Sequence, residues 1–417
     1  MSPFTPSLPG SSAPQSPRIV IVGGGFGGLY TALYLQKYRH LRHSSITLIE
    51  PRERFLFTPL LYEVLTEEMS LWEVAPPYVT LLAGTNIQWR QDWADHIDLE
   101  QQRVTLRQGD GLAYDYLVVA TGMKTLQLPI PGIQDHAITF RSLGDVVQVK
   151  RRLDQLAQAA HPVAVTVLGA GASGVELATK VADRLGKKAQ VRLVDRGDQI
   201  LKPFARGLRR QAMQALRQRN VELHLQAQVE AVGPAMVRLD GVEVPSHLTL
   251  WATGAEPWPW LGTAVATNAQ GQVQVQPTLQ LGDYFNVFAV GDIASQDRVT
   301  PNTAQNAYQA AAAVAKSLAN LTRQRAPKPF RYLHLGDMLA LGKGVGGVWS
   351  FGLSFGGRLG GLVRRAVYIF RMPTARHRFK VARQALRQLV QGLFKMARRG
   401  PRKLRQGLLK VARRVQS

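Results

Sequence analysis

Arg18-Ile-Val-Ile-Val-Gly-Gly-Gly-Phe-Gly-Gly28 is the stretch on which the fold turns. Its β-branched apolar run reads as a buried strand, and Gly23, Gly25 and Gly28 then fit G-x-G-x-x-G. In that pattern the first glycine makes a tight turn, the second lets the backbone approach a pyrophosphate, and the third lets a helix pack close to the strand. The phosphate sits on the N-terminus of the helix predicted through Leu29-Tyr-Thr-Ala-Leu-Tyr-Leu35, where free N–H groups and the helix dipole favour an anion. Ser45-Ile-Thr-Leu-Ile49 reads as the second strand and ends on Glu50, 22 residues past Gly28, where an acid can bind a ribose diol. A glycine-rich stretch alone is often only a turn. Strand, helix, second strand and terminal acid in order make this one a dinucleotide loop.

The arrangement recurs about 145 residues later. The strand Val163-Ala-Val-Thr-Val-Leu168 meets Gly169-Ala-Gly171-Ala-Ser-Gly174, a helix follows, and Val191-Arg-Leu-Val194 ends on Asp195. Two dinucleotide sites in one chain suit a flavin reductase, one for FAD and one for NADH or NADPH; a duplicated domain with one dead site is the plainer alternative. Each unit closes with a strand and an Ala-Thr-Gly turn: Tyr116–Ala120 runs into Thr121-Gly122, and Leu248–Ala252 into Thr253-Gly254. Asn286–Val290 places a further strand before Gly291-Asp292, whose carboxylate can accept a hydrogen bond from a ribityl hydroxyl. The predicted class is α/β, with two Rossmann-like dinucleotide-binding domains and a C-terminal basic amphipathic helical region that binds membrane.

Composition narrows the chemistry. The 417 residues include no cysteine, which excludes disulfide and thiolate catalysis, and with it disulfide reductases, thiol peroxidases and sulfide:quinone oxidoreductases as they ordinarily work. Histidines are scattered, so no metal site is expected. The formal charge of +24 is uneven. Residues 338–417 hold 19 Lys or Arg and no acid, whereas the first 337 residues carry a net charge of only +5. A balanced body and a polycationic tail point to two kinds of partner. Residues 1–17 are rich in Pro and Ser and lack an apolar core, so they read as a disordered leader rather than a secretory signal. No uncharged apolar run reaches the roughly 18 residues of a membrane span.

The chain resembles the two-dinucleotide flavoproteins, and within them the type II NAD(P)H:quinone oxidoreductases, over about residues 18–335. Phe57-Thr-Pro-Leu-Leu-Tyr62 is similar to that family's segment after the FAD acid, and Thr303-Ala-Gln-Asn-Ala-Tyr-Gln309 to its quinone-side helix start. Tyr332–Gly342 and Tyr368–Val381 are similar to the demethylphylloquinone reductase branch. The resemblance implies that Gly23, Gly25, Phe26, Gly27, Gly28, Glu50, Thr121, Gly122, Gly291, Asp292 and Ala304 hold FAD. It implies that Gly169, Gly171, Ser173, Gly174, Asp195, Arg196, Thr253 and Gly254 hold NADH or NADPH, with Glu176, Gln305 and Gln309 at the reacting centre. Glu176 is otherwise an ordinary acid in the first turn of a helix, and the glutamines an ordinary polar face. Asp195 would repel a 2′-phosphate and Arg196 attract one, so nicotinamide preference stays open. The implied activity is hydride transfer from NAD(P)H to flavin and then two electrons to a membrane quinone, without proton pumping. A general respiratory NADH dehydrogenase and a cysteine-free ferredoxin or rubredoxin reductase stand as alternatives.

The implied domains are residues 18–140 with 260–325 for FAD, 141–259 for NAD(P)H, and 326–417 for membrane association. From Arg376 to Arg399, Phe379, Ala382, Leu386, Leu389, Val390, Leu393, Phe394 and Ala397 recur at helical spacing between Lys and Arg residues. Such a stripe suits an anionic membrane surface, or else packs on the body. After Gly400-Pro401 a second short helix is expected at Leu404, Leu408, Val411 and Val415. The tail has no helix-turn-helix, zinc spacing or base-stacking aromatics, so nucleic acid is not an expected partner. The expected location is the cytoplasmic side of a plasma or thylakoid membrane, held peripherally; oligomeric state is left open, a homodimer being one option.

Overall fold

The computed structural model describes residues 16–296 and 300–399, the last of these from 392 on by backbone alone. Most of the leader and the expected helix after Pro401 lie outside the described residues, as do the side chains of Leu393, Phe394 and Ala397. The chain forms two compact units.

The first unit comprises Met1–Phe55, Pro77–Leu126 and Ala255–His334. Its main sheet runs in the order Gln280–Leu281, Tyr284–Ala289, Tyr116–Val119, Arg18–Val22, Ser45–Ile49, Ile87–Arg90. All neighbours are parallel except the first pair, which is antiparallel. Ile19 to Val22 are buried on both faces, as a central parallel strand must be. One face is covered by the helix Phe26–Leu35, which packs along Ala304–Leu321.

The second unit comprises Leu56–Pro76, Gln127–Gly254 and Leu335–Ser417. Its five strands are all parallel, in the order Glu222–Leu225, Ala189–Asp195, Val163–Leu168, Leu248–Trp251, Ala137–Thr139. In both units the strand before the glycine loop lies between an earlier and a later crossover. Its carboxyl end is therefore a topological switch point, where α/β sheets bind ligands.

The units differ from the expected domains in four places. Ala137–Thr139 adds to the second sheet through Leu248–Trp251, and Ala255–Pro257 pairs with Met123–Thr125 of the first unit. Leu56–Pro76, expected with the FAD domain, clusters with the second unit. The region expected to be only a membrane tail begins with a three-stranded antiparallel sheet, Asp337–Ala340, Gly346–Ser350 and Leu353–Gly356. The helices Gly357–Arg371 and Ala375–Arg399 follow. Among the described residues no helix is long and apolar enough to cross a membrane.

Candidate active site

The two glycine loops share their backbone turn. Gly23 and Gly169 turn at φ +98° and +104°, a region that favours glycine, and their N–H groups donate to Ile49 and Val194 carbonyls at 2.9 and 2.7 Å. A Cβ at Gly28 or Gly174 would strike the carbonyl oxygen of Gly23 or Gly169, so the third glycine keeps the helix against the turn. Gly25 and Gly171 are different. Both sit at ordinary negative φ, −69° and −73°, where they begin their helices. Among the described residues, a Cβ built on either meets no atom within 4 Å. Nothing among the described residues requires glycine there, but a phosphate brought against bare backbone and the helix N-terminus does. The loops therefore fit dinucleotides.

The terminal acids hold the loops in the same way. Glu50 accepts from Gly24 N–H at 2.7 Å and from Arg52 N–H at 3.0 Å; Asp195 accepts from Ala170 N–H and Gly197 N–H, both at 2.6 Å. Beyond this they part. Glu50 is 1% exposed and takes a two-pronged ion pair from Arg52, Nε at 2.6 Å and Nη2 at 2.8 Å, which raises the guanidinium pKa. The Tyr78 hydroxyl donates to Gly24 O at 2.7 Å, and Trp89 Nε1 to Glu50 O at 2.9 Å. Asp195 is half-buried and its neighbour Arg196 exposed. Arg52 went unread in the sequence, although it stands two residues from the acid.

Around the first loop, Phe26 stacks on Tyr30 with ring centroids 5.7 Å apart and meets Phe55 edge-on at 5.2 Å. A Cβ at Gly27 would meet Val290, so Gly27 packs helix on strand. Gly122 and Gly291 both have positive φ, and the Asp292 carbonyl accepts from Gln272 Nε2 at 2.9 Å. Ala304 opens a helix capped by Thr303, whose Oγ1 accepts from Asn306 N–H at 3.2 Å. Gln305 Oε1 accepts from the Tyr332 hydroxyl at 2.7 Å. Gln309 pairs with the backbone of Leu333, donating at 2.9 Å and accepting at 3.0 Å. That two-point bond tethers the chain leaving the first unit, a role the sequence did not suggest. Around the second loop, Ser173 Oγ and the Tyr62 hydroxyl are 2.7 Å apart, Trp251 Nε1 donates to Thr253 Oγ1 at 2.9 Å, and Arg141 Nη2 to Gly254 O at 3.2 Å.

The three expected reacting residues are divided: the glutamines belong to the first unit and Glu176 to the second. Glu176 is neither an open helix-end acid nor alone. It is buried, accepts from Ala340 N–H at 2.7 Å and from Arg364 Nη2 at 3.2 Å, and shares Arg364 with buried Glu63. Lys180, one turn on from Glu176 and fully buried, pairs with Glu68 and lies 3.9 Å from Glu63. Glu68 also accepts from Gly344 N–H at 2.7 Å. Three carboxylates thus face two cations. Burial drives Glu63 up, but Arg364 and Lys180 outweigh it and hold this acid below its usual value. Burial pushes Glu176 up to about 7, with Arg364 and the Ala340 N–H only partly opposing it. The cluster can therefore hold or release one proton near neutrality. Lys180 could have been read from its i,i+4 spacing; Arg364, 188 residues from Glu176, gave no local sign.

A family model for pyridine nucleotide-disulphide oxidoreductases matches residues 17–311. The chain is 39% identical to demethylphylloquinone reductase of Synechocystis sp., over 88% of this chain and 94% of that one. It is 31% identical to the alternative NAD(P)H-ubiquinone oxidoreductase C1 of Arabidopsis thaliana, over 88% and 80%. It is likewise 31% identical to the type II NADH:quinone oxidoreductase of Mycobacterium tuberculosis, over 80% of each. The solved structure of NDH2 from Plasmodium falciparum in complex with NADH superposes with a TM-score of 0.79 at 18% identity, covering 88% of this chain and 96% of that one. On these matches and its paired loops, the chain belongs to the pyridine nucleotide-disulphide oxidoreductase family and, within it, to the type II NAD(P)H:quinone oxidoreductases.

Proposed function

We propose that the chain is an FAD-dependent NAD(P)H:quinone oxidoreductase, and that its quinone is of the demethylphylloquinone kind, as the name of its 39% identical relative suggests. The observation that carries the reading is the pair of helix-opening glycines, Gly25 and Gly171, each bare toward the outside of its loop. FAD, when bound, would supply a two-electron relay between NAD(P)H and the quinone. The chain contributes binding, orientation and protons. Gly23, Gly25, Gly28 and Glu50 would hold FAD at the first loop, with Thr121, Gly122, Gly291 and Asp292 as further contacts. Gly169, Gly171, Gly174 and Asp195 would hold the nicotinamide dinucleotide. The reduced quinone takes two protons, which water or a side-chain acid can supply, and Glu176, pushed by burial up to about 7, is the acid suited to that relay. Gln305 and Gln309 serve the acceptor half-reaction by fixing Tyr332 and Leu333.

Docking on an anionic membrane surface through Ala375–Arg399 completes the proposal, since a quinone is lipid-dissolved. The helix turns Phe379, Ala382, Leu386 and Leu389 to solvent. Val381 and His377 face the unit instead, with His377 Nε2 2.8 Å from Glu73 O, and Val390 is also buried. This supports membrane docking over packing of the expected stripe on the body. In stopped flow, Glu176→Gln should leave flavin reduction by NADH intact, slow reoxidation by a water-soluble naphthoquinone, and flatten its fall above pH 7. Reoxidation with an unaltered pH profile would remove Glu176 from the proton path. Truncation after Thr374 should spare turnover with that quinone and abolish pelleting with anionic vesicles.

A further inference from the structure

Two hairpins of the second unit turn through the same geometry with opposite chemistry. Leu239 pairs with Val242 across Asp240-Gly241, at φ +48° and +80°; Ser350 pairs with Leu353 across Phe351-Gly352, at φ +47° and +83°. Two positive φ values in a two-residue loop select Asn or Asp followed by Gly, as at Asp240. Phenylalanine is a poor choice there, because a bulky side chain is disfavoured at positive φ. Phe351 also gains nothing by burial: it is 73% exposed, and Leu353 beside it 71%. A turn that departs from both local preference and burial has its reason outside the chain.

The surroundings show what lies outside. The hairpin is locked to the helix Gly357–Arg371, since a Cβ at Gly360 would strike Gly346 O and one at Gly361 would strike Gly344 O. That helix presents exposed Leu359, Leu362 and Phe370 along one face and keeps Arg364 buried on another. Cations, among them exposed Arg358, accompany this apolar surface, and residues 338–417 contain no carboxylate side chain. A second copy of the chain would set like charges against each other there, whereas an anionic leaflet matches both the apolar surface and the charge.

We propose that the Phe351-Gly352 tip, with the exposed face of the helix behind it, enters the leaflet as an apolar wedge. The proposal rests on the membrane docking proposed above and deepens it. Because the chain has no cysteine, Phe351→Cys gives the full-length protein a single position for an environment-sensitive fluorophore. Asp240→Cys, in the matching turn, is the control. With vesicles of phosphatidylcholine and phosphatidylglycerol, the label at 351 should shift to the blue, brighten, and be quenched by a lipid-borne quencher, while the label at 240 stays unchanged. Phe351→Asn creates a favourable turn, so it should fold at least as well yet weaken vesicle binding about tenfold. If the protein pellets with vesicles while position 351 stays in water and Phe351→Asn binds equally, the wedge is wrong and docking by the basic helix stands. No pelleting at low salt would overturn both. A fluorescence change without vesicles that grows with protein concentration would assign the tip to a second copy and overturn the wedge.

Discussion

The two glycine loops are copies in backbone and opposites in how their acids are kept. Glu50 is sealed, with Arg52 across both carboxylate oxygens and Tyr78 and Trp89 bonded to the adjoining backbone. Asp195 makes the same two backbone bonds but remains half-exposed beside an exposed arginine. One fold can thus serve a resident group and a passing one. A ligand at the first loop meets a rigid acid whose charge is already met by a cation, and a ligand at the second meets a charge still open to solvent. On the proposed assignment of FAD to the first loop and nicotinamide dinucleotide to the second, the difference between prosthetic group and substrate would be written around the loop, not in its glycines.

The largest expected effect breaks the loops one at a time. Gly25→Val should yield colourless protein, because its side chain occupies the space against which a pyrophosphate would lie. Gly171→Val should stay yellow and lose flavin reduction by NADH roughly a hundredfold or more. Equal flavin loss in both variants, measured by absorbance, would erase the distinction between the loops.

Next in size is the buried acid of the second unit. A carboxyl raised from 4.5 to about 7 in the fold binds its proton more tightly folded than unfolded. Its contribution to stability is complete below pH 4.5 and lost as pH rises through 7, an amount of about 3 kcal/mol. Denaturant melts at pH 5 and pH 8 should show Glu176→Gln free of that decline; an identical decline in the variant would place the titrating group elsewhere.

Smaller effects sharpen the contrast between the acids. Arg52→Ala leaves buried Glu50 without its cation and should cost about 1–3 kcal/mol and speed flavin loss. Asp195→Asn should change stability by less than about 1 kcal/mol. Its effect should be on choice, lowering the NADH to NADPH ratio of kcat/KM about tenfold, with Arg196→Ala shifting it the other way. Unchanged ratios in both variants would move the selector off this strand end.

Much of this was legible because it is local. The strands Arg18–Val22, Ser45–Ile49 and Val163–Leu168 follow from unbroken apolar runs, and Glu50 and Asp195 from their distance to the glycines. The sheet Asp337–Gly356 leaves little trace in the sequence because its glycine-rich strands show little alternation. The ion cluster escaped for a different reason. Glu63, Glu176 and Arg364 come from three distant segments, and only packing of Gly357–Arg371 within the second unit makes one buried site of them. The unit boundaries likewise depended on Ala137–Thr139 crossing to the second sheet, a non-local pairing.

Anaerobic stopped flow tests the central claim most directly. Purified protein should carry one flavin per chain that survives gel filtration, bleach when NADH or NADPH is added, and recover its colour when a naphthoquinone follows, with the pyridine nucleotide leaving freely. Protein whose flavin washes away while nicotinamide remains, or whose bleached flavin is not reoxidised by any quinone, would contradict the account.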